Sequence, residues 1–248
     1  MSKICLITGA SSGIGRACAT IFASKGYKLI LIARREERLN EIKKELDTPC
    51  ICIKADIRVH AEVQHAIGHL PEDWKKIDVL VNNAGLAAGL DKFDEGNLMD
   101  WEQMIDTNIK GLLYVSKEII PLMEKNGKGH IINLSSTAGK EVYAMGNVYC
   151  ASKHAVEALS KSMRIDLLEK NIKVTNIAPG MVETEFSMVR FKGDQNRADA
   201  VYKGLKPLRG QDVAEVIYFS TTLPDHVNIN DLTLTPTAQA NSYYNLRK

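Results

Sequence analysis

Short apolar runs alternate with longer amphipathic segments along the whole chain. Runs that are apolar at nearly every position, such as residues 3–8 and 28–33, are typical of strands buried on both faces of a parallel sheet. The amphipathic segments repeat apolar residues at helical spacing, as Ile14, Cys18 and Ile21 do. The predicted strands are residues 3–8, 28–33, 50–55, 78–83, 130–135, 173–178 and 231–236. The predicted helices are residues 14–25, 36–46, 60–70, 98–125, 148–170 and 211–222.

The order of these elements predicts the architecture. Strand–helix alternation with right-handed crossovers builds a doubly wound parallel sheet with helices on both faces. The chain contains no linker, internal repeat or low-complexity segment. We therefore expect residues 1–248 to form a single α/β domain around seven parallel strands.

A glycine-rich turn, TGASSGIG at residues 8–15, joins the first predicted strand to the first helix. Glycines allow the backbone to bend sharply and to approach a ligand closely, and the following helix N-terminus attracts an anion. Ser11 and Ser12 add hydroxyl donors. The glycines have the order G-x-x-x-G-x-G, at Gly9, Gly13 and Gly15, and not the general dinucleotide order G-x-G-x-x-G. A glycine turn without a ligand is the alternative, but the position at a first strand-to-helix crossover favours a dinucleotide.

The end of the second strand indicates which dinucleotide. An acidic residue at this point would bind the 2′-hydroxyl of NAD, whereas arginine would accept the 2′-phosphate of NADP. The sequence LIARREERL has Arg34 and Arg35 and no acid before Glu36. Two guanidinium groups suit a phosphate, so we expect NADP; a solvated basic start to a helix is the alternative.

Composition excludes several other function classes. A net charge of +2 gives no footprint for nucleic acid or a membrane surface, and no apolar run approaches the roughly 18 residues of a membrane span. The five cysteines are odd in number and lack metal-type spacing, and His65 and His69 share a helical face without a further ligand in view. The chain passes straight into a strand without a signal peptide. We therefore expect no metal and a cytoplasmic protein.

The stretch NVYCASKHAV, residues 147–156, has a tyrosine four residues before a lysine within a predicted helix. Positions i and i+4 lie on one helical face, so Tyr149 and Lys153 are neighbours. Lowering a phenol pKa from about 10 to about 7 requires roughly 4 kcal/mol of phenolate stabilisation. One ammonium about 4 Å away supplies that amount at an effective dielectric of about 20. The pair would make Tyr149 a general base for alcohol oxidation and a general acid for carbonyl reduction.

Chance also produces this spacing in a chain with 8 tyrosines. A second pair, Tyr202 and Lys206, has the same spacing, but Gly204 and Pro207 make its segment a poor helix. The surrounding motifs therefore decide between the two pairs.

Two further positions support a site near Tyr149. Ser135 and Ser136 end a predicted strand, on the carboxyl edge where ligands bind in open α/β sheets. Asn108 lies on an apolar helical stripe, where an amide costs stability unless it is hydrogen-bonded. An internal hydrogen bond without chemistry is the alternative for Asn108.

Together, these features resemble the short-chain dehydrogenase/reductase superfamily over essentially the whole chain. The motifs are TGASSGIG at 8–15, NNAG at 82–85, Asn108, the serine of SSTAG, YCASK at 149–153 and PGMVET at 179–184. The resemblance implies a Rossmann-type fold with Tyr149 as the acid/base. Ser136, which precedes the tyrosine by 13 residues as in close family members, would hold the substrate oxygen. Lys153 would lower the tyrosine pKa and bind the nicotinamide ribose, and Asn108 would hold a water in the proton relay.

The resemblance also implies a set of NADP-binding residues. Asp56 and Ile57 would flank the adenine, and Asn83 and residues 179–184 would line the cofactor. The full expected set is Gly9, Ser11, Ser12, Gly13, Ile14, Gly15, Arg34, Arg35, Asp56, Ile57, Asn83, Ala84, Gly85, Tyr149, Lys153, Pro179, Gly180, Val182 and Thr184.

The last sixty residues narrow the substrate. EFSMVRFKGD at 185–194 and LPDHVNINDLTLTPTAQ at 223–239 are similar to the branch of NADP-dependent 3-hydroxy acid dehydrogenases, which also oxidise serine and allo-threonine. Residues 185–210 would form a lid, and Arg190 within it would bind a substrate carboxylate. A solvated basic lid is the alternative. We expect hydride transfer between NADP and the β-carbon of a small 3-hydroxy or 2-amino-3-hydroxy acid.

Other functions remain open at this point. A general carbonyl or 3-oxoacyl reductase would use the same motifs, and an NADPH-binding sensor without turnover would need only the cofactor residues. A sugar-nucleotide epimerase also uses a tyrosine and a lysine so spaced, but such enzymes have a different glycine order. The resemblance further implies a homotetramer, in which the tail at 240–248 would reach a neighbouring subunit.

Overall fold

The computed structural model describes residues 2–248, which form a sheet of seven parallel strands in the order β3-β2-β1-β4-β5-β6-β9. The fold class expected from the sequence is confirmed. The strands of this sheet are β1 (Ile4–Thr8), β2 (Lys28–Ala33), β3 (Cys50–Lys54), β4 (Val79–Asn82), β5 (Gly129–Leu134), β6 (Ile172–Pro179) and β9 (Asp231–Leu234).

Helices cover both faces of the sheet. One face packs against α1, α2 and α9, and the opposite face packs against α3, α5 and α6. Their apolar stripes account for this burial: Phe22 of α1 and Ile119 of α5 are 0% exposed. The helices are α1 (Gly13–Ser24), α2 (Glu36–Glu45), α3 (His60–Gly68), α4 (Leu98–Ile105), α5 (Leu112–Lys125), α6 (Asn147–Asp166), α7 (Phe186–Arg190), α8 (Gln195–Ala200) and α9 (Gly210–Thr221).

The strand order creates a crevice next to β1. The chain runs from β1 outward through β2 to β3, then returns to the other side of β1 for β4. Ligands bind where the order reverses, outside the carboxyl ends of the strands. The turn after β1 and the segments after β2, β4, β5 and β6 all reach this edge, so distant parts of the sequence meet there.

The segment predicted as one helix over 98–125 differs in the structure. A π-helical turn, Asp106–Gly111, separates α4 from α5 and contains Asn108. Such turns add a residue to the helix and are frequent at functional sites. Asn108 here exchanges two hydrogen bonds with the backbone of Leu86, a long-range attachment that helical periodicity does not reveal.

The segment 185–210, expected to form a lid, contains α7, α8 and one strand of a separate two-stranded sheet. That sheet pairs β7 (Val182–Glu183) with β8 (Leu208–Arg209). The tail lies against this segment in the same chain, because Arg247 donates to the carbonyl of Lys203 over 2.6 Å and the Lys248 amide to that of Gly204 over 2.8 Å. An intersubunit role of the tail therefore stays a prediction.

Within residues 2–248, no helix has the length and apolar character needed to cross a membrane.

Candidate active site

An elongated cavity of about 520 Å³ runs along the carboxyl edge of the sheet. It begins at the glycine turn after β1, passes the ends of β4 and β5, and finishes beneath α7. All the expected site residues line it except Gly15 and Asn108, which lie directly behind its wall. The sheet therefore brings together residues that the sequence separates by up to about 180 positions.

The glycine turn is built so that a side chain would not fit. Gly9 has a φ of +64°, and a Cβ there would lie 2.8 Å from the Cα of Ala84. A Cβ on Gly15 would lie 2.4 Å from the carbonyl oxygen of Gly9 and 2.5 Å from Nδ2 of Asn83. Asn83 in turn donates to the Thr8 carbonyl over 2.9 Å. The turn and the end of β4 are thus locked together, and backbone amides at the start of α1 are left open to the cavity.

Arg35 joins the end of β2 to the glycine turn. Its Nη2 donates to Oγ of Ser11 over 3.1 Å and to Oγ of Ser12 over 2.9 Å. Its Nη1 donates to Glu185 over 2.9 Å, and Arg38 donates to the other oxygen of the same carboxylate over 2.5 Å. Although partial burial opposes it, these two guanidiniums hold the pKa of Glu185 below its ordinary value.

Arg38 and Glu185 were not among the residues expected from the sequence. Arg38 follows Arg35 by one helical turn, so the i, i+3 spacing on α2 was a usable signal for it. Glu185 pairs across 150 positions, and no local pattern indicates such a contact. Arg34 lines the cavity and is exposed.

Asp56 and Ile57 lie after β3, at the same end of the cavity. The Asp56 carboxylate accepts hydrogen bonds from Nε of Arg58 over 3.0 Å and from the Arg58 backbone amide over 3.0 Å. Although burial opposes them, these bonds hold the pKa of Asp56 below its ordinary value, and Arg34 adds to the effect. Asp56 is therefore an anchored carboxylate at the cavity wall.

Tyr149 lies at the opposite end, on the first turn of α6. It is 8% exposed, and the Ser136 side chain lies near its phenol. The Ser136 hydroxyl accepts from the Ala138 amide over 3.1 Å and donates to the Pro179 carbonyl over 3.3 Å. Ser135 instead donates to the backbone carbonyl of Lys153 over 3.2 Å. The two serines thus have different partners.

Lys153 is buried one helical turn beyond Tyr149. Its Nζ donates to the Leu134 carbonyl over 2.8 Å and lies 6.0 Å from the centroid of the Tyr149 ring. Burial lowers the pKa of Lys153 to about 8.

The pKa of Tyr149 differs from the expectation that Lys153 would lower it. Burial raises the pKa of the phenol above its ordinary value, and the nearby hydroxyl of Tyr143 raises it further. The groups that oppose this rise are the Arg190 guanidinium and the Ser136 hydroxyl. The physical reason is that the low-dielectric surroundings penalise phenolate more than the cations of the protein alone favour it. The acid/base role of Tyr149 and the role of Lys153 in it stay predictions.

Asn108 is 2% exposed and fully hydrogen-bonded. Its Oδ1 accepts from the Leu86 amide over 2.8 Å, and its Nδ2 donates to the Leu86 carbonyl over 2.8 Å and to Ser152 over 3.0 Å. The amide therefore fastens the π-helical turn to the chain leaving β4 and to α6, and its role in a proton relay stays a prediction.

Arg190, at the end of α7, faces the phenol. Its guanidinium carbon lies 4.9 Å from the centroid of the Tyr149 ring and 5.4 Å from that of Phe186. Its Nη2 donates to the Tyr143 hydroxyl over 2.6 Å, whereas its buried Nε has no hydrogen-bond partner within residues 2–248. Lys192, by contrast, is 62% exposed and pairs with Asp100 over 2.8 Å. Only the arginine of this basic pair enters the cavity.

Tyr143 and Phe186 were also not expected from the sequence. Tyr143 lies in an irregular segment between β5 and α6, and Phe186 begins a helix of only five residues. Neither position belongs to a periodic pattern.

The residues present fit a dinucleotide with a 2′-phosphate. The glycine turn offers a backbone surface without side chains, and Arg34, Arg35 and Arg38 gather cationic groups beside it. Within residues 2–248, no three His, Cys, Asp or Glu side chains are grouped as a metal site requires, and the five cysteines are free.

Comparison with known proteins agrees with this geometry. Residues 3–195 match the family model of the short chain dehydrogenases. The chain is 44% identical over 246 residues to the NADP-dependent 3-hydroxy acid dehydrogenase YdfG of Escherichia coli K12, covering 99% of each chain. It is 47% identical over 243 residues to sulfoacetaldehyde reductase 2 of Chromohalobacter salexigens, covering 97% of this chain and 96% of that protein.

Solved structures are similar as well. The closed form of serine dehydrogenase complexed with NADP+ superposes with a TM-score of 0.93 at 43% identity, covering 99% of both chains. Serine dehydrogenase from Escherichia coli superposes with a TM-score of 0.84 at 40% identity, covering 96% of this chain and 99% of that one. The expected family resemblance is confirmed: the chain belongs to the short-chain dehydrogenase/reductase family.

Proposed function

We propose that this protein is an NADP-dependent oxidoreductase that interconverts small 3-hydroxy acids, including serine or allo-threonine, and the corresponding 3-oxo acids. The observation that carries the proposal is the contact between Arg190 and Tyr149, at 4.9 Å between guanidinium carbon and ring centroid. The cation that would bind a carboxylate and the phenol that would transfer a proton thus lie side by side, at one end of a cavity whose residues fit a dinucleotide. The names of the relatives support the same cofactor and substrate class.

NADP would supply or accept the hydride, and residues of the chain would bind the cofactor. The glycine turn and Asn83 would bind its pyrophosphate and central part, and Arg34 and Arg35 its 2′-phosphate. Asp56 and Ile57 would flank the adenine, and the 179–184 segment would line the nicotinamide end.

The proton would move at the phenolic oxygen of Tyr149. Ser136, whose side chain lies near the phenol, would hold the substrate oxygen next to it through its hydroxyl. Burial raises the pKa of Tyr149, and the Arg190 guanidinium already opposes that rise. Lys153 and the oxidised nicotinamide would add further positive charge near the phenol. Asn108 would keep the π-helical turn in place and so maintain a proton relay behind the phenol.

Arg190 would bind the substrate carboxylate. Its Nη2 is held by Tyr143, and its unpartnered Nε leaves a donor for an anionic oxygen. This attachment would also position the substrate. With its carboxylate held beneath α7, a short acid would place its β-carbon between Ser136 and Tyr149. Neutral carbonyl substrates would lack this attachment.

A sulfonate is the second candidate for the anionic group. A relative at 47% identity is named as a sulfoacetaldehyde reductase, and a guanidinium binds sulfonate oxygens as it binds carboxylate oxygens. A general carbonyl or 3-oxoacyl reductase would use the same proton-transfer residues without Arg190. An NADPH sensor without turnover would use only the residues that hold the cofactor.

An absorbance assay of NADPH formation and consumption would distinguish these functions. The panel would contain D- and L-3-hydroxy acids, the serine and allo-threonine isomers, sulfoacetaldehyde and a neutral carbonyl of similar size. The proposal is supported if the 3-hydroxy acids have the highest kcat/KM of all compounds in the panel. A higher kcat/KM for the neutral carbonyl would contradict it, and binding of NADPH without turnover of any compound would identify a sensor.

We further propose a cytoplasmic homotetramer. Apolar side chains that a monomer would leave in water support the assembly. Ile105, before the π-helical turn, is 38% exposed. Ile165 near the end of α6 and Leu168 just after that helix are 75% and 76% exposed. Sedimentation equilibrium tests the assembly, and a monomer mass would contradict it.

A further inference from the structure

Arg35 and Arg38, called here the cationic clamp, lie at the end of the cavity that would hold the adenosine of NADP. They pair with an acidic residue of the same chain. Arg35 and Arg38 each donate to one oxygen of the Glu185 carboxylate, at 2.9 Å and 2.5 Å. The same Arg35 is bound to Ser11 and Ser12 of the glycine turn, so the clamp is continuous with the expected phosphate-binding surface. An anionic side chain therefore already occupies donors that suit a phosphate.

We propose that Glu185 is a built-in competitor for the 2′-phosphate of NADP, and that Arg38 is a further residue determining cofactor specificity. The carboxylate and the phosphate require the same two guanidiniums, so binding of one weakens binding of the other. NAD lacks the phosphate and leaves the Glu185 ion pairs intact. This inference rests on the proposed cofactor and not on the proposed substrate.

Solvent exposure makes the exchange feasible. The side chains of Arg35, Arg38 and Glu185 are 43%, 41% and 45% exposed, so none is locked in a closed interior. Ion pairs this exposed contribute little, and a phosphate with more charge and more acceptor oxygens displaces a carboxylate from them. Competition therefore reduces NADP affinity without preventing binding.

The position of Glu185 connects this exchange to the lid. Glu185 is the N-cap residue of α7, the helix that places Phe186 and Arg190 against the Tyr149 ring. While its carboxylate is clamped, the start of α7 is tied to the start of α2. Displacement by the phosphate releases that tie at the start of α7. Cofactor phosphate and the position of the lid are thus linked through one side chain.

Calorimetric titration tests the competition without using activity. The dissociation constants of NADP+, NAD+ and adenosine 2′,5′-bisphosphate would be measured for the unmodified protein and for Glu185→Gln. We expect Glu185→Gln to bind both phosphate-bearing ligands about 3- to 10-fold more tightly, because two exposed ion pairs no longer compete. The affinity for NAD+ should be unchanged.

Glu37→Gln is the matched control. It removes the same charge from the first turn of α2, from an exposed side chain that does not line the cavity, and should leave all three dissociation constants unchanged. In an Arg38→Gln background, which itself weakens NADP+ binding, the gain from Glu185→Gln should shrink. An unchanged or weaker affinity of Glu185→Gln for NADP+ would overturn the inference. Failure of the unmodified protein to bind NADP+ would instead overturn the proposed cofactor.

Discussion

The guanidinium of Arg190 lies against the ring of Tyr149, with 4.9 Å between guanidinium carbon and ring centroid. The two residues come from different parts of the chain, one from the short helix α7 and the other from the first turn of α6. Their contact joins the lid to the residue expected to move the proton, and the arginine charge opposes the rise that burial causes in the pKa of Tyr149. On the proposed function, substrate binding and proton transfer would therefore share one contact.

Replacing Arg190 by alanine should raise the KM for 3-hydroxy acids about 10- to 100-fold. This range corresponds to the roughly 1.5–3 kcal/mol of a hydrogen bond to a charged group. The KM for neutral carbonyl substrates should change little, since they carry no carboxylate. Steady-state kinetics with both substrate types checks this, and Lys192→Ala is the control because its ammonium pairs with Asp100 outside the cavity. An unchanged KM for the acids would refute the role of Arg190.

Combining Arg34→Asp with Arg35→Ala should reverse or abolish the preference for NADPH. The change removes two cations from the phosphate end and supplies an acid that can accept the ribose 2′-hydroxyl of NADH. KM values for both cofactors would be compared with those of Arg16→Ala, an exposed arginine that pairs with Glu45 away from the cavity. Equal use of NADPH and NADH by the unmodified protein would show that these arginines do not select the cofactor.

Gly15→Ala should abolish dinucleotide binding. The new Cβ would lie 2.4 Å from the Gly9 carbonyl oxygen, so the turn must open to accept it. Titration calorimetry measures the loss. Gly68→Ala is the matched control at the end of α3, where a Cβ meets nothing within 4 Å, and it should bind NADP+ normally. Normal binding by Gly15→Ala would mean that the turn does not contact the cofactor.

His130 should make the protein lose stability in acid. Burial, with a contribution from Lys173, lowers the pKa of its imidazole from 6.5 to about 3, and its Nε2 is hydrogen-bonded to Thr175 over 2.8 Å. Between these pH values the unfolded state binds a proton that the folded state does not. The stabilisation is therefore complete above pH 6.5 and is lost as the pH falls toward 3, by up to about 5 kcal/mol.

Urea denaturation at several pH values measures this loss. The free energy of unfolding of His130→Gln should depend much less on pH between about 6.5 and 4.5 than that of the unmodified protein. His226→Gln replaces an exposed histidine and should retain the full dependence. An identical pH dependence for His130→Gln would assign the acid sensitivity to other groups.

The main strands and helices could be predicted because burial on both faces of the sheet imposes continuous apolar runs and helical stripes. β7 and β8 have only two residues each, and α7 and α8 have five and six, too few to establish a period. The motifs likewise identified Tyr149, Ser136 and the glycine turn.

Properties that depend on contacts between distant residues could not be predicted. The pairing of Arg35 with Glu185 joins positions 150 residues apart. The pKa of Tyr149 depends on how deeply α7 and the loop carrying Tyr143 bury it, which the Tyr149–Lys153 spacing does not contain. Sequence motifs therefore indicated which residues line the site but not the electrostatic balance among them.

Proton transfer by the phenolic oxygen of Tyr149 is the step on which the proposed reaction depends. Its most direct test is a single-turnover measurement of NADPH oxidation by Tyr149→Phe with a 3-oxo acid, alongside titration of NADPH binding to the same variant. We expect no detectable oxidation and a dissociation constant for NADPH within a few-fold of the unmodified protein, because phenylalanine keeps the ring and removes only the hydroxyl. Oxidation of NADPH by Tyr149→Phe at the rate of the unmodified protein would contradict this role.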